Sequence, residues 1–199
     1  MKKLLMTCCF AIALAGPAKA ESILHSETSA PKADAEAIEA IVIEWASKFN
    51  RGDWMRIKDM WDADEETPTY LGEERDQWVI GQEGLDQYFN PPSENTMVET
   101  VVIQPYGLRV RLLSDTIAVA TWENSLDFKM KTRPAVQDDY RVNAIFRKKD
   151  DGKWYFIHYA ELAMSPLIYV EHLYRRGVSE GFPENGKPYD AGRSGYANN

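Results

Sequence analysis

Hydrophobic positions change their period once along this chain. From Asp34 onward Ile38, Ile41, Val42, Trp45 and Phe49 recur at three- and four-residue spacing, one apolar stripe that predicts a helix. Gly52 stops it, and Asp53 is placed to cap a second short helix with Trp54, Ile57, Met60 and Trp61 inward. Residues 67–73 read as a short strand. Gly81 opens a third helix, with Leu85, Tyr88 and Phe89 on one side, and Pro91-Pro92 ends it. After that the period falls to two. Segments 97–103, 108–113, 116–130, 140–148 and 153–163 are rich in β-branched and aromatic residues and predict strands. Ser114-Asp115 and Asp150-Asp151-Gly152 supply turns, and residues 131–138 form a longer polar connection. An Asp-Gly step between two apolar runs is a strong hairpin signal, so the last two strands pair antiparallel.

Helices followed by a run of strands predict an α+β domain with an antiparallel sheet. The 116–130 strand would span about 50 Å if straight, so it must bend or twist. A curled sheet closed by helices makes a cone with a pocket. A last helix is expected after Ser165 and Pro166, with Leu167, Val170, Leu173 and Tyr174 as its stripe. The expected organisation is a signal peptide over 1–20, a flexible leader over 21–33, one domain over 34–165, and a C-terminal helix with a loose tail over 166–199.

Composition alters that picture at the N-terminus. Lys2 and Lys3, the apolar run 4–15 and Ala18-Lys19-Ala20 make a secretory signal pattern, too short to span a membrane. Cleavage after Ala20 would leave 179 residues in the periplasm or outside the cell, with no membrane insertion thereafter. Cys8 and Cys9 are the only cysteines, so cysteine catalysis, thiolate metal sites and disulfides are excluded after cleavage. Loss of three Lys and no acid takes the net charge from −8 to −11. Such a chain is repelled by nucleic acid. No phosphate-binding loop, dinucleotide fingerprint, nucleophile elbow or paired-His metal motif occurs, so no cofactor and no metal is expected.

Three strings carry a resemblance. Trp45 through Asp53 looks like a first helix ending in an Asn-x-Gly-Asp turn. Tyr70-Leu71-Gly72, then Gly81 through Phe89, looks like a first strand and third helix. Arg141 through Lys148, then Asp151 through His158, looks like a closing hairpin. Together they resemble the SnoaL-like branch of the nuclear transport factor 2-like superfamily over about residues 35–165. The resemblance implies a cone-shaped, curved antiparallel sheet packed on N-terminal helices, with an apolar pocket. Relatives include isomerases, dehydratases, hydrolases and assembly domains, so the reaction must be argued from the site. A second His two residues after the first, present in many small members, is replaced here by Ala160.

Strand alternation puts Trp154, Phe156, His158 and Ala160 on one face, and Tyr155, Ile157, Tyr159 and Glu161 on the other. The resemblance implies that the first set faces the pocket. His158 is then the candidate acid/base. Asn143, or the Tyr70 hydroxyl, is the candidate that orients a substrate oxygen. Arg141 shares a face with Asn143 and would select an anion if buried. Trp122 and Asn124 share a face of the long strand, opposite Glu123 and Asp127. Trp45, Trp61, Trp122 and Tyr88 are candidate ligand-lining aromatics. Two functions follow as expectations. One is a cofactor-free isomerase, dehydratase or hydrolase acting on a small apolar cyclic molecule. The other is a non-catalytic binding or dimerisation module with a vestigial pocket. A homodimer through the sheet face, with Tyr155 and Tyr159 exposed, would suit either.

Overall fold

In a computed structural model, residues 21–90, 98–163, 180–182 and 184 are described. Helix α1 spans Lys32–Arg51 and buries Ile38, Val42, Trp45 and Phe49 of the predicted stripe, with Ile41 half-buried and Ala35 buried as well. Gly52 closes it at φ 71°, a left-handed position that favours Gly. Its N–H reaches the Phe49 carbonyl at 2.9 Å, and the Asp53 N–H reaches that of Lys48 at 2.8 Å. The expected second helix is instead two 3-10 turns, Trp54–Arg56 and Lys58–Met60. Helix α2 is Gly81–Phe89.

Among the described residues six strands form one sheet. They are β1 Thr69–Leu71, β2 Val79–Ile80, β3 Val98–Leu112, β4 Ile117–Met130, β5 Val136–Lys148 and β6 Trp154–Leu162. Their order is β2-β1-β6-β5-β4-β3, with β1 parallel to β6 and the other neighbours antiparallel. The fold is thus α+β, a curved open sheet on N-terminal helices. The 131–138 connection is shorter than expected because β5 already begins at Val136. The expected helix after Pro166 lies outside the described residues.

Among the described residues three register shifts interrupt the ladders, one at the start of β3 between Val98 and Thr100 and two within the strands. In β3 the segments read as two strands are one, because an extra residue near Gly107 shifts the register between Tyr106 and Arg109. Gly107 has φ 66°, the conformation a bulge of this kind asks of a glycine. Val101 and Ile103 point inward before it, and Leu108 and Val110 after it. In β6 Phe156 faces Phe146, whereas His158 faces Ile145, so Ile157 is the extra residue. Trp154 and Phe156 are therefore buried before the bulge, and Tyr159 and Glu161 after it.

Aromatic rings fill the space between α1 and the sheet. Trp45 stacks on Tyr159 with centroids 5.0 Å apart, and Tyr70 stacks on the same ring at 5.3 Å. Trp61 packs on Phe156 at 5.0 Å. Each such burial contributes about 3 kcal/mol relative to exposure. At the β5–β6 turn, Arg147 pairs with Asp62 at 3.0 Å and Glu65 at 2.6 Å, and Lys149 pairs with Asp62 and Asp64.

The stretch read as a flexible leader is tied down. The Leu108 N–H donates to the Ile23 carbonyl at 2.9 Å, and the His25 N–H donates to the Leu108 carbonyl at 2.7 Å. Ser29 and Ala30 both donate to the Val110 carbonyl. Glu39 accepts from the Ser22 hydroxyl and the Ile23 N–H, each at 2.6 Å. The leader pattern is polar overall, and both its backbone groups and its Ser22 and Thr28 hydroxyls make these contacts.

Candidate active site

A cavity of about 510 Å³ opens at the end of the sheet where β1, β4 and β6 finish and β3 and β5 begin. Its apolar wall comes from Phe49, Trp54, Phe89, Val101, Ile103 and Phe128. Its polar wall is Tyr70, Glu73, Glu74, Tyr88, Tyr140 and Glu161, with the exposed Arg75 and Gln87 at the rim. The volume lies within the range usual for small-molecule sites.

Glu161 is the acid set deepest in this wall, only 8 % exposed. Its Oε1 accepts from the Tyr159 hydroxyl at 3.1 Å, and its Oε2 accepts from the Glu73 N–H at 3.0 Å. Burial opposes its ionised form, and the neighbouring Glu74 and Glu73 charges add to that, while the Glu73 N–H and Tyr159 hydroxyl favour it. The result is a carboxyl pushed up from 4.5 to about 8. Glu73 is raised to about 7, chiefly by burial and then by the Asp138 and Glu74 charges.

Two of the phenols form a chain. Tyr88 donates to Glu74 Oε1 at 2.5 Å, and the Tyr70 hydroxyl lies 3.4 Å from that of Tyr88. With Tyr88 committed to Glu74, Tyr70 is the donor of that pair. On the other side, Trp122 Nε1 donates to Asn124 Oδ1 at 3.2 Å. An indole can only donate, so the Asn124 oxygen faces Trp122 and its buried amide nitrogen, left without a hydrogen-bond partner among the described residues, is near enough to Tyr140 to favour a negative charge there. Burial, and the negative charge of Glu161 next, push Tyr70, Tyr140 and Tyr159 well above the usual phenol value. All three remain protonated donors.

The sequence-derived candidates divide. Tyr70 and Tyr88 line the cavity. Trp45, Trp61 and Trp122 do not. They are buried in the layer behind it, and Trp122 acts on the site through Asn124. His158 is not on the concave face, because the Ile157 bulge turns it away from Trp154 and Phe156. It is half-buried on the other side of the sheet, with Nδ1 2.7 Å from Thr69 Oγ1 and its ring 5.5 Å from that of Trp78. Burial lowers its pKa. Asn143 and Arg141 alternate with the buried Val142 and Ala144, so they too lie on the outer face. Arg141 is exposed there, and Asn143 borders a shallow outer pocket with Arg109 and Thr121. Tyr159 is fully buried rather than exposed for an interface. Glu161 was placed on the outward face, and one inserted residue brings it in. An acid flanked by Tyr159 at the end of an aromatic strand, with the Glu73-Glu74 pair elsewhere, was the signal available. Among the described residues no group of three His, Cys, Asp or Glu could hold a metal ion, and no helix is long and apolar enough to cross a membrane.

A family model for the SnoaL-like domain matches residues 38–163. The chain belongs to the SnoaL-like family. The family lies within the nuclear transport factor 2-like superfamily, and solved structures with the same fold agree. A ketosteroid isomerase-like protein from Erwinia carotovora atroseptica superposes with TM-score 0.53 at 20% identity, covering 68% of this chain and 100% of that one. A hexachlorocyclohexane dehydrochlorinase from Novosphingobium barchaimii gives 0.56 at 13% identity, with 66% and 86% covered. The CaMKII hub homology domain of Chlamydomonas reinhardtii gives 0.53 at 20% identity, with 66% and 99% covered. These likenesses establish the fold of this SnoaL-like chain and leave its chemistry to the cavity. No curated protein matches it in sequence.

Proposed function

We propose that this SnoaL-like protein is a cofactor-independent acid/base catalyst acting on a small, largely apolar molecule, with Glu161 as the group that carries the proton. The observation that carries this reading is a single one. A carboxyl 8 % exposed, and poised near neutrality, faces a cavity of about 510 Å³. A proton carrier works best when its pKa lies near the working pH. In the reading, the ionised form of Glu161 takes a proton from the carbon next to a carbonyl. The Tyr140 hydroxyl donates to the oxygen on which charge develops, and Glu161 returns the proton at a second position or to a leaving group. Tyr140 suits that part because it lines the cavity and stays protonated, burial and the Glu161 charge holding its hydroxyl well above the usual phenol value. His158 holds β1 against β6 and does not touch the substrate.

The test is uptake of deuterium from heavy water into small cyclic ketones, followed by NMR. Glu161→Gln should slow uptake by about a hundredfold or more, and Tyr140→Phe by about a hundredfold. Uptake by the native protein no faster than by Glu161→Gln would refute the reading, and would leave a binding or assembly module. We also propose export, with cleavage after Ala20, and a homodimer through the outer sheet face. N-terminal sequencing of the processed protein and light scattering test these two points. An intact residue 1 would refute the first, and a monomer at micromolar concentration the second.

A further inference from the structure

Carboxyl groups crowd one wall of the cavity. Glu73, Glu74 and Glu161 line it, and Asp138 stands behind Glu73, close enough to hydrogen-bond with it. Among the described residues no Lys, Arg or His pairs with any of these three glutamates. Their partners are phenols, a backbone amide and one another. An ionised carboxylate has about four acceptor positions, and Glu161 fills two. The nearest charges acting on it, those of Glu74 and Glu73, are negative.

The same space is walled by π-faces. Tyr70 and Tyr88 lie with centroids 4.7 Å apart, Phe89 is 5.2 Å from Tyr70, and Tyr140 lines the wall nearby. The chain itself shows that this wall takes a cation. Arg75, exposed at the rim, is the single cationic side chain lining the cavity among the described residues, and its guanidinium carbon lies 5.7 Å from the centre of the Tyr88 ring. Deeper in, beside Tyr70, Tyr140 and Glu161, no cation occupies the equivalent position among the described residues. Carboxylates and aromatic faces around one space are the chemistry that recognises ammonium groups.

We infer that the ligand of this cavity carries a positively charged nitrogen, seated against the Glu161 and Glu74 carboxylates and the rings of Tyr70, Tyr88 and Tyr140. This rests on the cavity being the substrate site, and it narrows the substrate to a cationic, otherwise apolar ring compound. An anion meets three carboxyl groups and is rejected. A neutral ligand leaves Glu161 protonated. A cation draws the proton off Glu161 and supplies the counter-charge that the burial withholds.

The experiment is calorimetric titration of the full chain near neutral pH with three ketones of one size. They are the quaternary dimethylpiperidinium ketone, its carbon isostere dimethylcyclohexanone, and an oxocyclohexane carboxylate. The cation should bind at least about tenfold tighter than the neutral isostere, and the anion most weakly. Cation binding should release close to one proton, seen as a heat that varies with the ionisation enthalpy of the buffer. Glu161→Gln should abolish the preference and the proton release. Glu74→Gln, at an exposed position that leaves the fold intact, should cut the preference by about threefold. Equal binding of cation and isostere, no cation binding at millimolar concentration, or binding without proton release would each overturn the inference. Deuterium uptake is read separately on the same ketones. A cation that binds tightly but does not exchange leaves the ligand class standing and removes the catalytic reading.

Discussion

Replacing Glu161 by Gln should stabilise this protein in mildly alkaline solution. The carboxyl rises from 4.5 to about 8 on folding, with burial as the first cause. At about 1.4 kcal/mol per tenfold change in proton affinity, ionising Glu161 in the folded state costs on the order of 5 kcal/mol. The sign follows from proton counts. Between about pH 4.5 and 8 the folded chain holds a proton that the unfolded chain has lost, so stability falls as pH rises through that window and levels off above it. Gln is neutral throughout and fits the same contacts. Its oxygen accepts from the Glu73 N–H, and its amide donates to the Tyr159 oxygen. Near pH 5 the two proteins should be about equally stable, and near pH 9 the variant should be more stable by a few kcal/mol, up to about 5. Urea unfolding followed by tryptophan fluorescence at about pH 5, 7 and 9 measures this. Glu73, raised to about 7, titrates in the same direction and leaves a smaller slope in the variant. Equal slopes in variant and native protein would refute the assignment of Glu161 as a buried, uncompensated acid.

Deleting Ile157 should leave the protein folded and the cavity intact, because it removes the extra residue and a regular strand then keeps Phe156, Tyr159 and Glu161 inward and His158 outward. Loss of the cooperative thermal transition on that deletion would refute the bulge. His158→Ala should cost about 1 kcal/mol through loss of the Thr69 hydrogen bond and leave deuterium uptake unchanged. NMR should find the His158 pKa below 6.5, so the stability its neutral form contributes is present above about pH 6.5 and lost as pH falls. Trp45→Ala should cost about 3–5 kcal/mol by leaving a cavity beside Tyr159, measurable by urea unfolding. Trp45→Phe should cost clearly less, since the indole N–H has no partner among the described residues.

The fold was legible because its signals are local and repeated. The α1 stripe, the Gly52 stop, the α2 start and the 150–152 turn each depend on a few neighbouring residues. The site was less legible because it hangs on parity. Alternation along β6 was read correctly up to Phe156, and one extra residue inverted everything after it. His158 and Glu161 exchanged faces on the strength of Ile157, whose side chain announces nothing. The bulge in β3 carries a marker, Gly107 at φ 66°, and even so its two halves read as separate strands. Arg141 and Asn143 on the outside, and Tyr140 within, follow from register with β4, which no single-strand pattern contains.

The docked segment before α1 has a consequence for the protein in a crowded solution. An open sheet ends in two rows of unsatisfied amides and carbonyls, each a template for a neighbouring chain. Here β2 closes one end after only two residues. The segment from Ile23 to Ala30 lies along Leu108 and Val110 of β3 at the other. Such a strap acts as a guard against strand-to-strand polymerisation. A chain trimmed to begin at α1 would keep its cavity and its core, and would lose its tolerance of high concentration.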